Sequence, residues 1–138
     1  MRILGLDLGS RTLGIAMSDS AGMIALMKET FRFEEDDYDA AIDRTLEYID
    51  EYKIEKVVLG LPKHMNGDVG IRGEISIQFK EILEQERKVE VILVDERLTT
   101  VIAQRALTSM KASKKNKKAR VDQIAAVQIL QSYLDGNR

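Results

Sequence analysis

The sequence predicts an α/β domain built on one mixed five-stranded sheet, three antiparallel strands followed by two parallel ones, flanked by helices. Three observations predict it. The first 33 residues hold three strand-like runs separated by turns too short for a crossover, so these strands are antiparallel neighbours. From residue 38 onward, helical and strand periodicities alternate, as in βαβ units with right-handed crossovers. Val57-Val58-Leu59-Gly60-Leu61 is apolar without alternation, the mark of a parallel strand covered on both faces.

The elements follow in order. Ile3 to Leu8 reads as the first strand, and Gly9-Ser10-Arg11 turns the chain. Leu13 to Ser18 is the second strand, Ser20-Ala21-Gly22 the next turn, and Met23 to Phe33 a less regular third strand. Tyr38, Ile42, Thr45, Leu46 and Ile49 recur at helical spacing, with acids on the other face. Pro62 stops the fourth strand, and His64 to Gly73, with three glycines, is expected to be a loop. Ile75, Phe79, Ile82 and Leu83 mark a second amphipathic helix, and Val89 to Val94 a fifth strand. Thr99 or Thr100 can cap a third helix running to about Met110. The basic stretch 111–118 interrupts the pattern, and a last helix runs from about Ala119 to Leu134.

With 138 residues, the chain is expected to form a single domain, residues 1–138, without disulfides or metal staples. Cys is absent and there is one His, which excludes thiolate metal sites and cysteine nucleophiles and argues against a Ser-His-Asp triad. A chain without Cys suits a reducing compartment, and a cytoplasmic location is expected. No apolar run approaches a membrane span, so no membrane partner is expected. The net charge of −2 hides an asymmetry: residues 29–51 carry a net −8. Six basic residues, Lys111, Lys114, Lys115, Lys117, Lys118 and Arg120, lie within ten positions and could bind a polyanion. No aromatic residue sits among them, which favours phosphate contacts over base reading.

Three acids stand where a solvated acid would not. Asp7 lies between Leu6 and Leu8, Glu96 follows the apolar run Val91–Val94, and Asp122 shares a turn with the small Ala125 and Ala126. Each alone has a structural explanation: a turn contact to Gly9-Ser10, an ion pair with Arg97 or Arg11, a helix N-terminal position. Together they converge, because sites in open α/β sheets form at the carboxyl ends of adjacent strands. Clustered carboxylates repel one another, and a divalent cation relieves that repulsion. Oxygen-only ligands suit Mg²⁺ or Mn²⁺, one or two ions, and such sites cut phosphodiesters. A fourth carboxylate is open: Asp95 points away if its strand continues, and Asp19 ends the second strand. Arg97 could steady a phosphate or neutralise Glu96, and Arg11 could bind phosphate or form a surface ion pair.

Four segments carry a family resemblance. They are Leu6 to Ala16, Val58 to Gly67, Asp95 to Thr100, and Val121 to Leu130. In this order and spacing the chain resembles the YqgF (RuvX-like) family, from Arg2 to about Leu134. The resemblance implies an RNase H-like fold and a nuclease site on Asp7, Glu96 and Asp122 as catalytic and metal-binding residues. It implies hydrolysis of nucleic-acid phosphodiesters leaving a 5′-phosphate, with processing of the 16S rRNA precursor 5′ end as the cellular role. The expected nucleic-acid contacts are Arg11, Arg97, Lys114, Lys115, Lys117 and Lys118. Three other functions compete: resolution of four-way DNA junctions, a non-catalytic nucleic-acid-binding module on the same fold, and actin-like phosphotransfer. The last resembles the chain only at Asp7-Leu8-Gly9-Ser10 and needs two domains. The chain is expected to act as a monomer or a homodimer.

Overall fold

The computed structural model describes residues 1–64, 66–98 and 115–137, without the side chains of Leu98 and of 115–124. The chain runs β1 (Leu4–Leu8), β2 (Thr12–Ser18), β3 (Ala25–Arg32), α1 (Tyr38–Tyr52), β4 (Lys56–Leu61), α2 (Ile71–Glu86), β5 (Glu90–Asp95), a 3-10 turn (Glu96–Leu98) and α3 (Lys115–Gly136). The sheet has the order β3-β2-β1-β4-β5. β1–β2 and β2–β3 are antiparallel, while β1–β4 and β4–β5 are parallel. The expected mixed sheet is therefore the observed one, and β1, β4 and β5 lie side by side with their carboxyl ends on one edge.

Strand alternation divides the core in two. On one face Leu4, Leu6, Leu8, Leu13, Ile15, Met17 and Leu59 pack with Ile42, Ile49, Phe79 and Leu83 of α1 and α2. On the other, Ala16, Ala25 and Val58 pack with Ala125, Ala126, Ile129, Leu130 and Leu134 of α3. Small strand residues bring α3 close: a β-carbon at Gly5 would stand 2.6 Å from Leu130 Cβ.

Several boundaries differ from the sequence expectation, each for a local reason. The third strand begins at Ala25 rather than Met23, because Asp19 Oδ1 accepts the N–H groups of Met23 and Ile24 in the preceding turn. Helix α2 begins at Ile71, inside the expected loop. Gly73 reads as a breaker but belongs to the first turn, where a β-carbon would meet Pro62 O at 2.7 Å and Val69 Cγ1 at 2.6 Å. The last helix is already formed at Lys115, the first residue described after Leu98, so positions 115, 117 and 118 are helical rather than part of a loop. The expected helix from Thr99 or Thr100 to Met110 and the residue Lys114 lie outside the described residues.

Candidate active site

Asp7 is in the last turn of alternation of β1, on the α3 side of the sheet, and is only 6% exposed. Gly9 N–H closes the hairpin by donating to Thr12 O at 2.7 Å. In the sheet Asp7 pairs with Gly14 of β2. On its other side the β1–β4 register, Leu6 opposite Leu59, brings Gly60 alongside at the next step. The carboxylate therefore stands between two positions without side chains, in a trough roofed by α3.

Glu96 enters the same trough from β5. It is 2% exposed. β5 pairs with β4 up to Leu61–Asp95, and the chain then turns into the 3-10 segment that Glu96 opens. A β-carbon at Gly60 would lie 3.0 Å from Glu96 Oε1, 3.3 Å from Glu96 Cγ and 2.6 Å from Ile129 Cδ1. The Glu96 side chain thus lies over the bare backbone of Gly60, on the strand next to the one that carries Asp7. A glycine inside an apolar strand marks such a close approach, and Gly60 is the site feature that sequence reasoning left unassigned.

The third expected acid, Asp122, is on the helical backbone of α3, seven residues or about two turns before Ile129. Its side chain, like those of Lys115, Lys117 and Lys118, lies outside the described residues. Among the described residues, no three His, Asp or Glu side chains form a metal-binding group.

Asp95 points away from the trough, as its place in the strand predicts, and is engaged by cations. Arg97 Nη2 donates to Asp95 Oδ2 at 2.7 Å, Arg97 Nε to Oδ1 at 3.1 Å, and the Arg97 backbone N–H to Oδ1 at 3.0 Å. Lys63 Nζ lies 3.7 Å from Oδ2. The bonds from Arg97 hold the Asp95 carboxyl below the usual carboxylate range, against the opposing effect of burial. Arg97 is thus paired with Asp95, and its guanidinium flanks Gly67 of the β4–α2 loop.

Arg11, at the β1–β2 hairpin tip, forms an exposed ion pair with Glu35 at 3.2 Å. Asp19, considered as a fourth carboxylate, is excluded by topology. β2 runs antiparallel to β1, so its carboxyl end lies at the opposite edge of the sheet from Asp7. Arg72 has a structural role that the sequence does not assign to it. From the first turn of α2 its guanidinium donates to Tyr38 Oη at 3.0 Å and to Leu8 O at 3.3 Å, tying the carboxyl end of β1 to both helices. A lone arginine in a helix start carries no pattern that would have revealed this.

Fold and sheet order define the RNase H-like class. Solved structures share this fold: Thermus thermophilus RuvC in complex with a Holliday junction substrate (TM-score 0.64, 13% identical, 99% of this chain and 95% of that one). The fowlpox virus Holliday junction resolvase is another (TM-score 0.59, 16% identical, 100% of both chains). The chain belongs to the RuvX family, whose model, described as Holliday junction resolvase, matches residues 1–136. A Bacillus licheniformis relative is 51% identical over 135 residues, 98% of this chain and 97% of its own. A Bacillus subtilis relative is 50% identical over 135 residues, 98% of each chain. Both bear the name "Putative pre-16S rRNA nuclease". The family makes this protein a hydrolase of nucleic-acid phosphodiester bonds. No helix among the described residues is long and apolar enough to cross a membrane.

Proposed function

We propose that this protein is a cation-dependent nuclease that processes the 5′ end of the 16S rRNA precursor, with Asp7, Glu96 and Asp122 as its catalytic carboxylates. The observation that carries the reading is that Asp7 and Glu96 are both nearly fully buried at the carboxyl ends of β1 and β5, on either side of β4, with the Glu96 carboxylate lying over Gly60. Two buried carboxylates side by side are unfavourable without a compensating positive charge. The donor set is oxygen only, which fits Mg²⁺ or Mn²⁺. Asp7 and Glu96, joined by Asp122 from α3, would hold the ion. When bound, it supplies Lewis-acid activation of the attacking water and stabilises charge on the phosphate.

The remaining roles fall to the chain's own groups. Asp7 is held by the central strand, so its carboxylate has little freedom to move. Glu96 is held by the turn after β5, and α3 excludes bulk water from the trough. Arg97 and Lys63 place positive charge at the carboxyl end of β5, and Arg11 places it at the hairpin tip. Lys114, Lys115, Lys117 and Lys118 precede Asp122 and would contact phosphates on the approach to the site. Such contacts position the backbone and carry no base information. The relatives' name supports RNA as substrate, and we propose a single domain over 1–138 acting in the cytoplasm as a monomer or a homodimer.

The test is single-turnover cleavage with Mn²⁺ on three substrates: a precursor 16S rRNA 5′ end, an unrelated single strand and a four-way DNA junction. Preferred cleavage of the rRNA end, lost in Asp7→Asn, is the expected result. Paired symmetric cuts in the junction with no cleavage of the rRNA end would replace this reading with a resolvase. Binding of all three without cleavage would replace it with a non-catalytic module.

A further inference from the structure

Glu96 is only 2% exposed, and the question is what sets its place over Gly60. The residues on either side of it supply the answer. β5 ends at Asp95, and the backbone N–H of Arg97 donates to Asp95 Oδ1, closing a turn around Glu96. An aspartate that accepts the N–H two residues on imitates a backbone turn and ends a strand. The Arg97 side chain then folds back onto the same carboxylate through Nε and Nη2. Side chain and backbone of Arg97 therefore bind one carboxylate, with Glu96 enclosed between them. Asp95 is itself only partly exposed, and Lys63 from the β4–α2 loop approaches its other side.

The direction of the turn matters. Had β5 continued, Glu96 would have projected on the face opposite Asp95, further along the strand and beyond Gly60. Closing the chain at Asp95 instead draws Glu96 back over Gly60, where its Oε1 lies 3.0 Å from the position a β-carbon would occupy. We propose that Asp95 and Arg97 form a positioning pair that holds the Glu96 carboxylate in the cation site; this rests on the nuclease reading of Glu96 given above. Arg97 is then primarily a partner of Asp95, and its charge beside the site is secondary.

Charge and positioning predict opposite outcomes for one variant. Arg97→Ala removes a positive charge near a cation site, so Coulomb's law alone makes Mn²⁺ bind more tightly. Loss of positioning makes it bind more weakly. The experiment is calorimetric Mn²⁺ titration of the full-length protein, without nucleic acid, for wild type, Asp95→Ala, Arg97→Ala, the double variant and Glu96→Gln. Melting temperatures in metal-free buffer identify any variant that fails to fold. Partners that orient a metal ligand change affinity by about 10–100-fold. We expect Asp95→Ala to weaken Mn²⁺ about tenfold and Arg97→Ala by less. The double variant should be no weaker than Asp95→Ala, because the two residues act as one unit. Affinity in Arg97→Ala equal to or above wild type overturns the pair while leaving the nuclease reading in place. Additive losses in the double variant also overturn it. Unchanged Mn²⁺ affinity in Glu96→Gln, or no binding by wild type, overturns the cation reading of Glu96 and the pair with it.

Discussion

The two faces of the sheet are built from opposite materials, although the same strands supply both. Toward α1 and α2 the strands present Leu4, Leu6, Leu8, Leu13, Ile15, Met17 and Leu59, a layer of large side chains. Toward α3 they present Gly5, Asp7, Gly14, Ala16, Val58 and Gly60. The first face buries apolar area and contributes stability at roughly 25 cal/mol per Å². The second gives up side-chain volume so that a helix and two carboxylates can lie against bare backbone. A strand period of two lets one segment serve both ends, because neighbouring residues never share a face. One face can therefore be tuned for stability and the other for chemistry, and substitutions at adjacent positions should separate the two.

The largest expected effect on activity is at Asp7. Asp7→Asn should lower cleavage by several orders of magnitude at saturating substrate, while the melting temperature holds or rises as repulsion with Glu96 is relieved. Near-normal single-turnover rates would break the assignment of chemistry to this face.

Leu59 and Gly60 are neighbours that point to opposite faces. Leu59→Ala should lower stability by about 2–5 kcal/mol, as expected for a buried leucine, yet the folded fraction should keep its cleavage rate. Gly60→Ala should lower stability less, about 1–3 kcal/mol for an overpacked contact, yet lose most of its activity. The added carbon would compete with Glu96 Oε1 and Ile129 Cδ1. Denaturant melts paired with single-turnover rates would show the crossing. Parallel losses in both variants would mean the two faces are not separable.

A cation should stabilise only through the α3 face. At a hundredfold excess over its Kd, Mn²⁺ should add about 2.7 kcal/mol to the wild type, and little to the Glu96→Gln, Asp122→Asn double variant. Thermal melts with and without Mn²⁺ measure this. An equal shift in both proteins would place the ion elsewhere.

The smallest effect belongs to the other face. Glu84 links α2 to β5, accepting Lys80 Nζ at 2.8 Å and Val91 N–H at 3.0 Å. The Lys80 bond first, then the Val91 bond, lowers its pKa below the ordinary 4.5. A lowered folded pKa contributes stability above the unfolded value and loses it as pH falls through the folded one. Glu84→Gln should therefore flatten the stability profile below about pH 4.5, by a few tenths of a kcal/mol for so exposed a pair. Urea melts between pH 3 and 6 would detect it, and cleavage at neutral pH should not change.

Residues that contradict their local frame were legible in the sequence. Asp7 between two leucines and Glu96 at the end of an apolar run stood out because burying a carboxylate is unfavourable without a partner. Contacts set by chain direction were not legible. The sequence leaves Arg11 between a phosphate contact and a surface ion pair; the end of β3 returns alongside the hairpin, where Phe33 N–H bonds Arg11 O and Glu35 takes the guanidinium, as the ion-pair alternative has it. Asp19 was a candidate until the antiparallel pairing of β2 placed it at the far edge. The sequence leaves Arg97 between Glu96 and a phosphate, and in the structure the 3-10 turn directs its guanidinium to Asp95, two residues back.

By itself the sequence determined the order and type of the elements among the described residues, the mixed sheet and the burial of Asp7 and Glu96, because period and burial are properties of local composition. Only the tertiary structure decided that Gly60 is the floor over which the Glu96 carboxylate lies. It also decided that α2 begins before Gly73 and that Arg97 closes a turn on Asp95. These depend on how closely two backbones approach and in which direction a turn leaves the sheet. A one-dimensional pattern records the absence of a side chain, but what fills the space is decided only when the strands and α3 are packed together.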